Sequence, residues 1–482
     1  MSNAKPARGM RDFLPVDVRR REYVIGIIKQ VYESYGFEPL ETPAVENLET
    51  LMGKYGEEGN QLIFKILKRG EKLDVNDKEL ADLALRYDLT VPLARVVANH
   101  KNDLPKFFKR YQIQPVWRAD RPARGRFREF FQCDVDAIGS NSMIIEAEIL
   151  SAASEILQKL GFKDFEVRVN HRKLLVDILN VAGVPIDKHT DALVALDKLD
   201  KIGREGVEKE FLQRGISPNA AEKLLVFFES LIKSNLKEVL GKSPTQKLIA
   251  LQKQLAEKEK LISKNNNVVE EFAKLSLELN NQVDKVIAKL GEEDSHKTGS
   301  RLKKAATGIA ESAKRFEELI YMHGNLLRLQ SLGKFLSNNE DVEGEGFSDL
   351  LKLLSLSKLT DRIVIDPSLA RGLSYYTGAI MEIVLTGGDF AGSIGGGGRY
   401  DELIGMFGKE QIPACGFSLG LERIIVVMTE RNMFPADLQD ASADVLVTIW
   451  NEDSAGESLK LANDLRAEGL RVLVYPEADK LG

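Results

Sequence analysis

Cysteine is nearly missing: the 482 residues hold two, Cys133 and Cys415, too few and too far apart for a disulfide framework or a paired metal-ligand spacing. A reducing compartment is expected. The five histidines (His100, His171, His189, His296 and His323) also fall at no metal-ligand spacing, so no protein-bound metal is expected. No run of about 18 apolar residues occurs, and the opening MSNAKPARGMRDFLP lacks the apolar stretch of a secretory leader. These absences argue against a membrane span and an export signal and point to a cytoplasmic protein. There is no excess of positive charge either. With a net charge of -6, any contact with nucleic acid must come from a local patch. Both common nucleotide loops are excluded. No G-x-G-x-x-G can be laid on the chain's glycine run, and Gly241-Lys242-Ser243 has Leu236 where a phosphate-binding loop needs its first glycine.

What is present is enough chain for two to four domains, each with its own core. Residues 17–35 place Tyr23, Ile27, Ile28, Val31 and Tyr35 at helical spacing, and Gly36 closes the helix. FEPLETPAVE then reads as a strand broken by prolines, suited to an edge or an interface. Residues 106–140 alternate as two strands, and 145–160 return to a helical pattern. From 173 to 355 Leu, Lys, Glu and Ala dominate while aromatics and glycine thin out, which predicts an all-helical insertion. Strand and turn signals resume over 361–428, and 443–477 read as strand, helix, strand, the opening of a small α/β domain.

Three clusters carry chemistry. Six arginines (Arg110, Arg118, Arg121, Arg124, Arg126 and Arg128) crowd nineteen positions, interleaved with Tyr111, Trp117 and Phe127. Guanidinium forks match phosphate oxygens, yet an isolated basic run is ordinarily a solvated loop. Its flanks shift the reading. In RYQIQPVWR, Gln112, Gln114, Val116 and Arg118 share one strand face. In REFFQCDVDAI, Phe131, Cys133, Val135 and Ala137 take one face and Gln132, Asp134 and Asp136 the other. Between them ADRPARGRF, with Pro122 and Gly125, makes a projecting loop. An arginine, a glutamine and two carboxylates on facing strands beneath a basic flap can hold a triphosphate and an ammonium together.

The second cluster brings Arg371-Gly372, Tyr375 and Tyr376, then Gly395–Gly398 followed by Arg399 and Asp401. The glycines are read as letting backbone approach a ligand, with a helix starting at Tyr400-Asp401-Glu402-Leu403. The third, ACGFSLGLERIIVVM, reads as strand, Gly420 turn and helix. Arg423 there falls in the first helical turn, against the macrodipole, a placement that makes sense if an anion binds.

In this order and spacing the clusters resemble the signature motifs of class II aminoacyl-tRNA synthetases, and their wording is similar to the histidyl-tRNA synthetase family in particular. GFEPLETPAVE, with Pro43, resembles the dimer-forming first motif, VWRADRPARGRFREFFQCDVDAIG the second and GFSLGLERIIVVM the third. ARGLSYYTG and GGGGRYDELIG resemble stretches peculiar to the histidine enzyme, and RGMRDFLP and LRYDLTVPLARVVANH also match. The resemblance runs from residue 8 to the chain end, apart from most of the insertion.

It implies an α+β fold: the class II antiparallel sheet flanked by helices, in two catalytic parts (1–172 and 356–438), an all-helical insertion (173–355) and an incomplete α/β anticodon-binding domain (443–482). By resemblance, Arg118 holds the ATP α-phosphate and the amino-acid carboxylate, while Arg126 and Arg423 take the γ-phosphate. Asp88, Thr90 and Gln132 receive the histidine ammonium. Asp136 and Tyr376 read the imidazole, Tyr375 belongs to the same wall, and Arg371 approaches the reacting phosphate. Arg118 and Arg371 are the catalytic pair. Asp88 and Asp136 stand where many bacterial members have glutamate, and Ser374 replaces the aspartate of RGLDYY. The implied substrates are L-histidine, ATP accompanied by Mg2+ and tRNA(His), with a homodimer formed through the first motif and with the 119–127 loop and the insertion facing the acceptor stem. Two other readings share the fold without charging tRNA: a regulatory subunit of histidine biosynthesis and a sensor of uncharged tRNA.

Overall fold

The computed structural model describes residues 4–54, 56–69, 80–196, 198–233, 345–357, 359, 361–370, 375–387, 390, 392–408, 410–438 and 443–478, with Asn325, Arg328, Leu332 and Phe335 besides. It divides into two compact units, residues 1–10 with 25–424 and residues 11–24 with 425–482. The first helix, Pro15–Ser34, ends where expected, and Gly36 at φ 75° turns the chain out of it. Ile28, Val31 and Tyr32 are fully buried, a stripe at helical spacing, and the Tyr32 ring meets Phe37 and Tyr111 at 6.0 Å each.

In chain order the strands are β1 (Glu38–Pro39), β2 (Val45–Asn47), β3 (Lys65–Leu67), β4 (Ala81–Leu85), β5 (Phe108–Trp117), β6 (Glu129–Ile138), β7 (Phe165–His171), β8 (Ile363–Ile365), β9 (Ala379–Leu385), β10 (Ser393–Arg399) and β11 (Ala414–Gly420). Eight of them form one sheet in the order β1-β5-β6-β11-β10-β9-β7-β8. The six inner strands pair antiparallel. The short edge strands β1 and β8 pair parallel with their neighbours, so the expected antiparallel sheet has a parallel strand at each margin. The proline-broken segment indeed sits at an edge as β1, and its continuation β2 joins a separate sheet, β2-β4-β3. At the other edge the buried side chain of Asn325 donates to the Ile363 carbonyl at 2.9 Å and accepts from the Ile365 N–H at 2.9 Å. It thereby occupies groups of β8 that an edge strand otherwise leaves open.

Helices follow β7 at Arg172–Ala182, His189–Leu196, Leu199–Gln213 and Pro218–Lys233, and a further one spans Glu345–Leu356. The rest of the expected helical insertion, 234–324 and most of 325–344, lies outside the described residues. The helix Ile144–Lys159 is anchored to β10 by a buried pair: Arg399 Nε lies 2.6 Å from Glu146 Oε1, with both side chains under a tenth exposed. In the second unit, β12 (Val445–Ile449), the helix Ala455–Ala467 and β13 (Val472–Ala478) make a parallel β-α-β unit, as the 443–477 pattern implies.

Removing one member of a buried pair strands the other's charge. Arg399 then keeps the partly exposed Asp401, 3.1 Å from its Nη1, so Glu146→Ala is expected to lose up to about 3 kcal/mol of stability, read as a lowered urea midpoint. An unchanged midpoint would show that the pair contributes nothing.

Candidate active site

The site is built on one face of the sheet, and the β-strand register explains why there is room for it. Side chains of Gln132, Asp134 and Asp136 rise from β6; opposite them on β11 stand Gly420, Ser418 and Gly416, and beyond those on β10 stand Gly396 and Gly398. A floor of glycine and serine leaves a trough where larger residues would fill the space. A Cβ on Gly416 would fall 1.9 Å from Asp136 Oδ1, so glycine is obligatory there; one on Gly396 would meet nothing nearer than 3.7 Å, because that position opens into the trough. On the opposite face Gly395 lies under Phe417, where a Cβ would come within 2.7 Å of the ring. The glycine run is therefore the strand β10 itself, with the backbone of Gly395, Gly396 and Gly397 lining the trough. The helix expected at Tyr400 is only a turn leading to a short 3-10 segment, Ile404–Met406.

Two adjoining pockets occupy the trough. The acidic one, about 180 Å³, is lined by Asp88, Thr90, Asp134, Asp136, Tyr375, Tyr376 and Tyr400 among others. Asp88 precedes the helix Thr90–Asn99, and its Oδ1 accepts from the Val91 N–H at 3.0 Å. Asp136 is held from beneath by Arg110, whose Nη2 lies 2.7 Å from Oδ2, and from the side by the Tyr400 hydroxyl, which donates to Oδ1. Tyr375 and Tyr376 meet edge to face, with centroids 4.7 Å apart. Burial pushes the Asp134 carboxyl up to about 7, helped by the neighbouring Asp136 and Asp88 and opposed by Arg110. Burial raises Asp136 too, while Arg110 and Tyr400 pull it back.

The second pocket, about 230 Å³, is cationic: Arg118, Arg126 and Arg423 line it with Asp120, Phe127, Phe130 and Glu422. Arg118 donates from Nε to the Tyr87 carbonyl at 2.9 Å, and its guanidinium lies 4.3 Å from the Tyr87 ring centroid, so the fork is fixed before any ligand arrives. Arg126 is half exposed on the flap, 3.0 Å from Asp120. The flap turns through reciprocal bonds between Ala123 and Arg126, with Gly125 at φ 67° beside the Arg423 stem. Arg423 donates to the Ser393 carbonyl at 2.5 Å. Arg118, Gln132, Gly396 and Ser418 line both pockets and so mark the seam between them. Gln132 spans it, donating to Ser418 Oγ at 3.2 Å and Asp134 Oδ1 at 3.3 Å.

The structure thus brings Asp88, Thr90, Asp136, Tyr375 and Tyr376 to one pocket, Arg126 and Arg423 to the other, and Arg118 and Gln132 to both. Arg371 and Ser374 lie outside the described residues. Sequence reasoning counted Asp134 as one of two carboxylates on the β6 face and gave no substrate role to Tyr400, Arg110, Ser418 or Glu422. Strand alternation already put Asp134 beside Asp136. Tyr400 carries no local signal, since its partner Asp136 is 264 positions away, whereas Arg110 stands directly opposite Asp136 in the β5–β6 hairpin.

A family model described as histidyl-tRNA synthetase matches residues 9–290 and 265–424. The histidine–tRNA ligase of Christiangramia forsetii is 37% identical over 488 residues, taking in 98% of this chain and 87% of that protein. The histidine–tRNA ligase of Porphyromonas gingivalis is likewise 37% identical over 487 residues, with the same coverage. Among solved structures, histidyl-tRNA synthetase from Nostoc sp. PCC 7120 matches with a TM-score of 0.61 at 28% identity, over 100% of this chain and 88% of that one. A Bacillus halodurans C structure described as an ATP phosphoribosyltransferase regulatory subunit/histidyl-tRNA synthetase has a TM-score of 0.64 at 17% identity, over 100% of this chain and 95% of that one, a likeness of fold alone. The paired pockets, the class II sheet and these full-length likenesses agree: the chain belongs to the histidyl-tRNA synthetase family.

Proposed function

We propose that this chain is a histidine–tRNA ligase, which joins L-histidine to ATP as histidyl-adenylate with release of pyrophosphate and then passes the histidyl group to the 3'-terminal ribose of tRNA(His). The observation that carries it is the meeting of a carboxylate pocket with an arginine pocket at Arg118 and Gln132. An amino acid seated with its ammonium among Asp88, Thr90 and Gln132 and its ring toward Asp136 and Tyr376 turns its carboxylate to the seam. There Arg118 can bind that carboxylate and the α-phosphate at once. The carboxylate oxygen attacks the α-phosphorus in line and pyrophosphate leaves, so the protein supplies position and positive charge and no nucleophile. Arg126 and Arg423 take the terminal phosphates, and Arg371 the reacting one.

Among the described residues no three of His, Cys, Asp or Glu gather as a metal cage. The phosphate pocket does offer two carboxylates, Glu422 and Asp120, which suits a Mg2+ that arrives with the triphosphate and shares protein oxygens. Bound there, the ion would neutralise phosphate charge. The remaining assignments rest on kinship: tRNA(His) over the 119–127 flap and the insertion, a homodimer through the Thr42-Pro43 segment, and a cytoplasmic location. Among the described residues no helix is long and apolar enough to cross a membrane.

Histidine-dependent exchange of pyrophosphate into ATP is the direct test. Exchange is expected, whereas tRNA binding without exchange would mark a non-charging relative. Arg371→Ala should keep the fold and slow exchange by about 10²–10³-fold through loss of a transition-state cation, and near-normal exchange would remove Arg371 from its role. Gly416→Ala drives a methyl onto Asp136, so the KM for histidine should rise by about tenfold or more with the KM for ATP nearly unchanged; equal rises would show a general collapse.

The pH dependence follows from Asp134, pushed up to about 7 from its ordinary 3.8. A folded value above the unfolded one means that the protonated acid contributes stability below about 4, lost as pH rises through 7. Bound ammonium favours the ionised form. Histidine should therefore raise the melting temperature more at pH 8 than at pH 6, and a pH-independent increment would contradict the acidic pocket's part in binding.

A further inference from the structure

Arg110 is fully buried and lies behind the acidic pocket without lining it. Its Nη2 faces two acceptors: Asp136 Oδ2 at 2.7 Å and the Leu89 carbonyl at 3.4 Å, the latter lying between Asp88 and Thr90. Its Nη1 donates to Gln112 Oε1 at 3.1 Å. Gln112 is fixed in turn, donating to Thr42 Oγ1 at 2.9 Å and Gln114 Oε1 at 2.6 Å. One guanidinium thus joins the group placed at the ring end of the pocket to the backbone placed at its ammonium end.

From this geometry we infer that Arg110 is the positioning residue that sets specificity for the amino acid: it fixes Asp136 as an acceptor for an imidazole N–H and sets the distance from Asp136 to the Asp88–Thr90 loop. The inference rests on the proposed ligase activity. Asp136 has one oxygen against Arg110 and accepts at the other from Tyr400, so its carboxylate is oriented before substrate arrives. An oriented carboxylate offers its remaining lone pairs to a donor and rejects a ring that presents only an acceptor or a carbon, because a buried charge would be left unmatched. Lysine cannot replace Arg110, since a single ammonium lacks the fork that reaches Asp136, Leu89 and Gln112 together.

The charged and titratable groups around Asp136 are Arg110 from β5, Asp134 on β6, Tyr400 beyond β10, Cys415 on β11 and Tyr32 from the first helix, with Asp88, Tyr375, Tyr376 and Arg118 lining the same pocket. Arg110 is the cation in contact with Asp136. Its removal makes Asp136 harder to ionise, and the pH above which histidine binds must move up.

The experiment is pyrophosphate exchange by the full chain, with histidine and ATP varied separately between pH 6 and 9. For Arg110→Met the expected result is a loss of about 30-fold or more in kcat/KM for histidine, a KM for ATP within about threefold of wild type, and a histidine-binding pH profile moved alkaline. Arg110→Lys should recover less than a tenth of the loss. Because Arg110→Met leaves a buried carboxylate that can impair folding, Arg110→Met combined with Asp136→Asn is the second variant; it removes both charges. If Arg110 acts through Asp136, the double variant is no worse than Asp136→Asn alone. Parallel losses for ATP and histidine, an unmoved pH profile or additive effects in the double variant would overturn the inference. Absence of exchange in the wild-type chain would instead overturn the ligase reading on which it rests.

Discussion

Three carboxylates, those of Asp88, Asp134 and Asp136, are buried around one small cavity, and this is the constraint from which the rest of the site follows. Burying unpaired negative charge is costly enough that such groups hold protons or acquire a cation. Asp136 has a permanent cation in Arg110. Asp134 lacks one so close, and its carboxyl moves up to about 7. The cavity is therefore poised for a cation from outside, and an amino acid's ammonium is of the right size and charge. On the proposed ligase reading, selection of the substrate class begins in this imbalance and not in shape alone.

The neighbouring pocket has the opposite sign, and the two touch at Arg118. Were they apart, each would be an ordinary ion-binding site. Side by side, in the proposed reaction, they bring an amino-acid carboxylate and a phosphate, both anionic and mutually repelling, to one guanidinium that can bind them together. That Arg118 is held by the Tyr87 carbonyl and stacked on the Tyr87 ring matters for the same reason: a preset fork need not reorganise as charge develops on the reacting phosphate.

Much of this was legible in the chain. Alternation placed Gln132, Asp134 and Asp136 on one face of β6, and the register confirms that they stand over Gly420, Ser418 and Gly416. Helix ends were readable from Gly36 and from the Gly420 turn. The glycine run is legible as backbone open to a ligand, and Gly395, Gly396 and Gly397 line the pockets, but nothing local marks it as a strand. Only β9 and β11 on either side make it a strand, and only Phe417 on one face and the cavity on the other explain why side chains are excluded. Tyr400 escaped for a related reason: its role is defined by Asp136, 264 positions away, and no periodicity reports such a pairing. Arg110 is the cross-strand partner of Asp136, a pairing that depends on the hairpin register and not on alternation alone.

The buried polar residues behind the cavity form one connected unit. From Asp136 the chain of contacts passes through Arg110, Gln112 and Gln114 to Arg86, whose Nη1 reaches Gln114 Oε1 at 2.8 Å and the carbonyls of Thr42 and Pro43 at 2.5 and 3.2 Å. Gln112 and Gln114 are engaged along this chain, while Arg110 Nε and Asp136 Oδ2 are buried without a hydrogen-bond partner among the described residues, so deletion of either glutamine leaves a further donor or acceptor unmatched, which costs more than the lost bond is worth. The segment that resembles the family's first motif is thereby tied by hydrogen bonds to the base of the acidic pocket. The proline-rich edge and the pocket residue are thus joined through protein groups and not through solvent.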